Sequence, residues 1–322
     1  MKNTSVNCKV SVSITTYNHR AYIAQAIDGA LQQETDFEYE IIIGEDDSSD
    51  GTREIVLDYQ QRFPDKIRLF LNDRKNVIYI GGKPTGRWNL VNNLSHAQGE
   101  YIACLDGDDF WTSPHKLQRQ ADLLDAHPEL ALCFHPIERH YDEEYEALKS
   151  ARERPRRTRY TVEDLLRGNF IATCSVMFRN GLYADFPQWF FTTPFSDWPL
   201  HILHALHGDI GVVDEVMAVH RTHSGSTWSP GSKLARRKDV VTTLEILWEN
   251  LPVEYRPTLE ESLARGHWSV LGALVREGDY RAVGSCAREL FAQAKVPKST
   301  LVKTGLSIGF SRTASALGHG TP

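Results

Sequence analysis

The chain has 322 residues, 41% of them hydrophobic and 24% charged, proportions of a soluble globular protein. A net charge of −6 and a pI near 6.1 exclude bulk electrostatic binding of nucleic acid. No apolar run reaches the ~18–20 residues that a membrane span requires, and Lys2 and Lys9 flank a polar NTSVN where a signal peptide would carry its apolar core.

Five cysteines (Cys8, Cys104, Cys133, Cys174, Cys286) are scattered and form no CxxC pair. They read as reduced core thiols of a cytoplasmic protein; peripheral membrane association and homo-oligomerisation stay open. In chain order, Val10, Val12 and Ile14 alternate with Ser11, Ser13 and Thr15, a strand pattern that ends in the polar loop Thr16-Tyr17-Asn18-His19. Residues 21–32 carry apolar side chains at 23, 26, 27, 30 and 31, the helical period. A second strand, 40–44, runs into Glu45, Asp46 and Asp47. The turn Ser48 to Thr52 then caps a helix beginning near Arg53. A third strand covers 66–72, a loop 73–86, and a short helix 88–97.

Residues 101–117, YIACLDGDDFWTSPHKL, form the pivotal stretch: a buried strand ending in Asp106, Asp108 and Asp109, followed by a helix that begins with Pro114 in its first turn. Carboxylates crowded at a strand's C-terminal end repel one another unless a cation sits among them, and open α/β sheets bind ligands at that edge. Alternating strands and helices predict an α/β domain with a mostly parallel sheet.

Further strands are expected at 130–134, at 171–179 and as a pair within 210–220; helices are expected from Thr161 and over 199–207. The charged run 138–159, with ARERPRRTR at 151–159, reads as a solvated connector rather than a basic binding patch. His201, His204 and His207 drift around a helix axis and have no cysteine partner, which argues against zinc. From residue 230 the pattern becomes helical: Val240, Leu244, Leu247 and Leu251, then Leu259 with Leu263, Leu271 with Leu274, and an amphipathic stretch 280–294. The division expected is a catalytic domain 1–229 and a C-terminal helical region 230–322, whose residues 296–322 form a flexible tail.

The segments SVSITTYNHRAYIAQAI, EIIIGEDDSSDGT and GEYIACLDGDDFW, in that order and spacing, resemble family 2 glycosyltransferases. SDWPL and VHRTHSGSTWS resemble that family's base-bearing segment and histidine loop, so the resemblance covers about residues 9–229. It implies a GT-A fold, a Rossmann-like mostly parallel sheet flanked by helices. It also implies a nucleotide-sugar donor, with a UDP-sugar expected, a divalent Mn²⁺ or Mg²⁺, and inversion at the anomeric carbon.

Carried over residue by residue, Thr15, Tyr17 and Asn18 fall in the loop that touches the nucleotide, and Asp46 where a carboxylate accepts the uracil N–H. Asp106 and Asp108 match the DxD pair, Asp106 near ribose and metal and Asp108 as direct metal ligand. Asp197 falls at the catalytic base and His223 at the histidine beside metal and diphosphate. The chain departs from the family at Asp47, where Gly is frequent, and at Ser196, where Glu commonly precedes the base.

Each assignment has a plainer alternative. Asp46 also reads as turn chemistry, Asp197 as the cap of the following helix, and His223 as a loop hydrogen bond. Trp111 and Trp198 suit either a sugar face or the core. The expected acceptor is a glycan, a lipid-linked saccharide or a small molecule, in polysaccharide or glycoconjugate synthesis. A sugar nucleotidyltransferase would need a Gly-rich, basic phosphate loop after the first strand, which TTYNHR does not supply; a non-catalytic nucleotide-sugar-binding protein would not need a base.

Overall fold

The computed structural model describes residues 8–141, 155–183, 185–223, 233–292 and 295–317. The chain divides into two compact units. The first comprises Met1–Val162, Phe170–Thr192 and Ser196–Ser229, and the second comprises Glu163–Asn169, Thr193–Phe195 and Pro230–Pro322.

The first half of unit one alternates strand and helix: β1 (Val10–Thr16), α1 (Ile23–Leu31), β2 (Tyr39–Glu45), α2 (Thr52–Arg62) and β3 (Ile67–Leu71). The region expected as a loop at 73–86 instead holds a 3₁₀ turn at Arg74–Asn76 and a small hairpin, β4 (Ile78–Ile80) and β5 (Lys83–Thr85). The Asp73 carboxylate accepts from the Lys75 N–H at 2.9 Å and starts the turn, and Gly81 and Gly82 supply the positive φ of the hairpin tip.

There follow α3 (Arg87–His96), β6 (Tyr101–Asp106), β7 (Phe110–Trp111), α4 (Lys116–Ala126), β8 (Leu130–Phe134), β9 (Glu138–Tyr141), β10 (Arg159–Tyr160), α5 (Val162–Leu166), β11 (Met177–Arg179), α6 (Asp197–Ala205), β12 (Asp209–Val212) and β13 (Ala218–Thr222).

Eight strands form one sheet in the order β10-β12-β8-β11-β6-β1-β2-β3. The β6-β1-β2-β3 half is wholly parallel, and β11 runs antiparallel between β6 and β8. Chain order reverses between β1 and β6, so the crevice outside their C-terminal ends is the topological switch point, the place where such sheets take ligands. The register sets Thr15 directly opposite Asp106 there.

Strand β1 is central, and both its faces are buried, the polar Ser11 and Ser13 included. Its apolar face packs on α1, where Ile23, Ala26, Ile27 and Ala30 have no exposed surface. On the other face the Ser11 hydroxyl donates to Glu40 at 2.7 Å and accepts from the Gly99 N–H at 2.8 Å. Above β1 and β2, α3 lays down a row of amides: Asn93 Nδ2 donates to the Ile14 carbonyl (2.9 Å) and Asn89 Nδ2 to the Gly44 carbonyl (2.8 Å), while Asn72 Nδ2 donates to Asn89 Oδ1 (2.9 Å). A Cβ on Gly44 would lie 1.7 Å from Asn89 Oδ1. Gly44→Ala is therefore expected to cost about 1–3 kcal/mol by overpacking a buried hydrogen-bonded layer, read as a lower urea midpoint; an unchanged midpoint would show that α3 can retreat freely.

Three sequence expectations shift. Helix α4 begins at Lys116 rather than at Pro114, because the Ser113 and Pro114 carbonyls are engaged by Gln33 Nε2 (2.8 Å) and the Glu34 N–H (2.8 Å). Only the end of 171–179 is strand. Residues Thr173–Ser175 form a 3₁₀ turn whose Cys174 and Ser175 carbonyls accept from Trp111 Nε1 (2.9 Å) and Gln120 Nε2 (2.9 Å). Of the basic run, 151–154 lies outside the described residues, and Arg159 is paired to Asp209 at 2.5 Å and Glu129 at 3.2 Å.

Unit two contains α7 (Lys233–Asn250), α8 (Arg256–Glu277), α9 (Tyr280–Ala292) and α10 (Lys298–Leu317). The tail expected to be flexible is helical through Leu317. Leu301 is fully buried, its carbonyl accepts from Trp268 Nε1 at 3.0 Å, and Gly305 lets α10 approach the Trp268 ring. Packing against α8 supplies what local composition does not. Among the described residues, no helix is long and apolar enough to cross a membrane.

Candidate active site

The switch-point crevice collects most of the residues singled out from the sequence. Thr15 Oγ1 donates to Asp106 Oδ1 at 3.0 Å, so the ends of β1 and β6 are tied by side chains as well as by backbone. After β6 the chain turns through Gly107, whose Cβ, were there one, would meet Thr16 and His19 within 2.8 Å. Asp108 follows and then Asp109, which is 1% exposed. Burial pushes the Asp106 carboxyl up to about 7, and the charge of Asp108 adds to the rise. Asp109 is raised well above the carboxylate range by burial and by both neighbouring acids.

Asp108 goes the other way. Burial opposes its charge, but a hydrogen bond from His223 and the nearby His19 hold it below the usual range. His223 Nε2 lies 3.1 Å from Asp108 Oδ2, and His19 Nε2 lies 3.9 Å from the same oxygen.

His223 arrives by a route local sequence does not disclose. A second sheet, β7-β13-β9, pairs Ala218 with Trp111 and Val219 with Phe110, which swings the end of β13 back over the Asp108 turn. The rest of the histidine loop, 224–229, lies outside the described residues.

Tyr17 and Asn18 sit on the loop after β1. Asn18 adopts φ 54°, a left-handed conformation Asn tolerates, and exchanges hydrogen bonds with the turn after β2: its N–H donates to Ser48 Oγ (2.9 Å) and its Oδ1 accepts from the Ser49 N–H (3.0 Å). Asp46, nearly buried, accepts from Arg74 Nη1 at 3.1 Å, and the same guanidinium lies 4.2 Å from the Tyr17 ring centroid. Burial raises the Asp46 carboxyl, and Arg74 pulls it back.

Asp197 opens α6. The residue before it, Ser196, occupies the cap position, so Asp197 stands in the first turn rather than capping with its side chain. Its charge is felt at Asp106 and at the buried Arg87, which donates to the Phe190 carbonyl and lies 4.9 Å from that ring. Trp111 and Trp198 are core residues, 4% and 3% exposed. His201 and His204 are buried in α6; His204 Nδ1 donates to the Leu200 carbonyl at 2.8 Å, and its Nε2 lies 3.4 Å from the Tyr183 hydroxyl.

The profile of Glycosyl transferase family 2 matches residues 11–186, more than half the chain. The chain belongs to that family. An uncharacterized protein of Mycobacterium tuberculosis is 35% identical over 266 residues, 80% of this chain and 69% of its own. A mannosyltransferase from Pyrobaculum calidifontis, solved in complex with GDP-Man and Mn²⁺, superposes with a TM-score of 0.56 at 17% identity, covering 95% of this chain and 81% of that one. S. aureus TarS in complex with UDP-GlcNAc superposes with a TM-score of 0.52 at 18% identity, covering 87% and 92%. At such identities the likeness is one of fold, and it is the GT-A architecture: a mostly parallel sheet flanked by helices.

Family 2 glycosyltransferases of this fold generally use a divalent metal, and the donor set here fits one. Burial and the charge of Asp108 disfavour ionisation of Asp106, a conflict that a cation at their edge would relieve, and His223 Nε2 lies 3.1 Å from Asp108 Oδ2. Among the described residues, no three His, Cys, Asp or Glu side chains gather as a complete metal cage. A hard cation here would therefore depend on water and substrate phosphate oxygens for most of its ligands. Sequence reasoning missed Arg74, His19, Arg87 and Arg221. Arg74 falls in a stretch without periodicity, whereas His19 and Arg221 had a readable signal, the one in the first strand's loop and the other in the segment VHRTHSGSTWS.

Proposed function

We propose that this family 2 glycosyltransferase is a metal-dependent, inverting enzyme that moves a hexosyl group from a nucleoside diphosphate sugar, UDP being the expected nucleotide, to an acceptor hydroxyl. The observation that carries the reading is geometric: at the switch-point ends of β1 and β6, Thr15 Oγ1 lies 3.0 Å from Asp106 Oδ1 and His223 Nε2 lies 3.1 Å from Asp108 Oδ2, and Asp197 is near enough for its charge to act on Asp106.

In this reading the uracil stacks near Tyr17, and the Asp46 carboxylate, which accepts from Arg74 at 3.1 Å, also accepts the uracil imide N–H. Thr15 and Asp106 face the ribose. Asp108, with Asp106 and His223 beside it, would hold a divalent cation whose remaining ligands are water and phosphate oxygens, and that cation would supply charge neutralisation at the departing diphosphate. Asp197 accepts the proton of the acceptor hydroxyl as its oxygen attacks C1 from the face opposite the diphosphate. The C1–O bond to the diphosphate breaks, its electron pair leaves on the nucleotide, and a single displacement inverts the anomeric centre.

A thermal-shift screen of UDP-sugars and GDP-Man, with and without Mn²⁺, tests donor and metal together. A ligand at ~100 times its Kd stabilises by about 2.7 kcal/mol, a shift of a few degrees. A UDP-sugar is expected to raise the Tm only with Mn²⁺ present; no shift from any nucleotide sugar in either condition would overturn the reading.

A further inference from the structure

Arg221 stands two residues before His223, and its contacts reach the DxD turn, the start of β7 and the N-terminal end of α1. Its backbone N–H donates to Asp109 Oδ1 at 2.8 Å, beyond the last β13–β7 rung. Its guanidinium donates through Nη1 to the Asp108 carbonyl at 2.6 Å and through Nη2 to Gln25 Oε1 on α1. The guanidinium plane lies 4.3 Å from the Phe110 ring centroid and 5.2 Å from that of Tyr22. Tyr22 in turn packs against the His223 ring, with centroids 4.6 Å apart.

We infer that Arg221 is a positioning residue of the donor site: a clasp that holds the Asp108 carboxylate and the His223 imidazole in register by joining α1, the DxD turn and β13. The inference rests on the donor-site reading above.

The contacts favour a clasp. Nη1 and Nη2 each donate to a protein acceptor, and two aromatic rings lie against the guanidinium. Planarity and a rigid fork are what such a site uses, and lysine has neither. The backbone contact to Asp109 is independent of the side chain, so substitution at 221 leaves β13 docked to a buried carboxyl. What it removes is the fork that holds the Asp108 carbonyl, and with it the angle at which the Asp108 carboxylate meets His223. Partners that orient metal-ligating side chains typically carry ~10–100-fold in metal affinity.

The experiment uses the full chain as wild type, Arg221→Lys and Arg221→Ala, with far-UV circular dichroism and Tm recorded for each. Calorimetric titration of UDP across a Mn²⁺ series gives the Mn²⁺ concentration for half-maximal nucleotide binding. An ¹⁵N-correlated spectrum of the metal-free protein, with the His223 signal assigned by its loss in His223→Gln, reads the imidazole directly. Both variants are expected to raise the Mn²⁺ midpoint about tenfold or more and to move the His223 signal, with lysine giving no rescue. If Arg221→Ala does not fold, Arg221→Lys carries the test alone. Wild-type binding by Arg221→Lys would show that only charge is needed and would overturn the clasp, as would an unmoved His223 signal. A wild-type protein that binds UDP equally well without Mn²⁺ would instead overturn the metal reading, and the metal-free His223 signal would still decide the clasp.

Discussion

Asp108→Ala is expected to abolish turnover and, with it, the Mn²⁺ dependence of UDP binding. The carboxylate sits at the open end of β6, is held ionised by His223 and His19, and is the acid best placed to meet a cation. Charge neutralisation at a departing diphosphate is worth several kcal/mol, and each 1.36 kcal/mol is tenfold in rate, so a loss of about three orders of magnitude or more is the scale to look for. The variant also removes the charge that raises both Asp106 and Asp109, so loss of activity should not be a loss of fold. Nucleotide binding by calorimetry at several Mn²⁺ concentrations, beside a Tm in metal-free buffer, makes the distinction. Residual activity within tenfold of wild type would remove Asp108 from the metal site.

Asp197→Asn is expected to abolish turnover while leaving UDP affinity nearly intact. The substitution keeps the shape of the side chain in the first turn of α6 and removes only its charge and basicity. Loss of the carboxylate–helix interaction costs about 0.3–1 kcal/mol of stability, a small change. Loss of a general base costs typically 10²–10⁴ in rate. Asp197 contributes to the raised proton affinity of Asp106; its neutralisation therefore eases ionisation of the donor-side acid, which argues for donor binding that is retained rather than weakened. Product formation and UDP titration on the same preparation are the measurements. A parallel fall in both would end the assignment of Asp197 as base and leave it a donor-site residue.

Much of the α/β half was legible because its signals are local. A β-branched run that stops in acids is a strand meeting a sheet edge, and the spacing in α1 picks out Ile23, Ala26, Ile27 and Ala30, all fully buried. Strand β1 was legible as a strand but not in its environment. Its Ser/Val alternation reads as one wet face, whereas α3 covers that face with Asn89 and Asn93. Local pattern reports polarity, not which distant amide satisfies it. The α10 segment was missed for a related reason: Ser, Thr and Gly lower its intrinsic helix propensity, and burial of Leu301 together with the close approach of Gly305 to Trp268 of α8 overrides that. Pro114 misled in the opposite direction, since its carbonyl serves the loop after α1 rather than a helix.

The sequence by itself determined the kinds of chemistry available: paired acids at strand ends, a base candidate at a helix start, and a histidine in a late polar loop. Each is a property of neighbouring residues, and its meaning survives without knowing the partner. Only the tertiary structure decided which of them meet. Reversal of strand order between β1 and β6 places Thr15 on Asp106, and the β7–β13 pairing carries His223 across 115 residues to Asp108. Arg74 and Arg221 acquire their places beside Asp46 and the DxD turn through the same long-range pairings. Contacts of that separation depend on how buried apolar strands stack in one sheet, a collective outcome of burial that no short window of residues encodes.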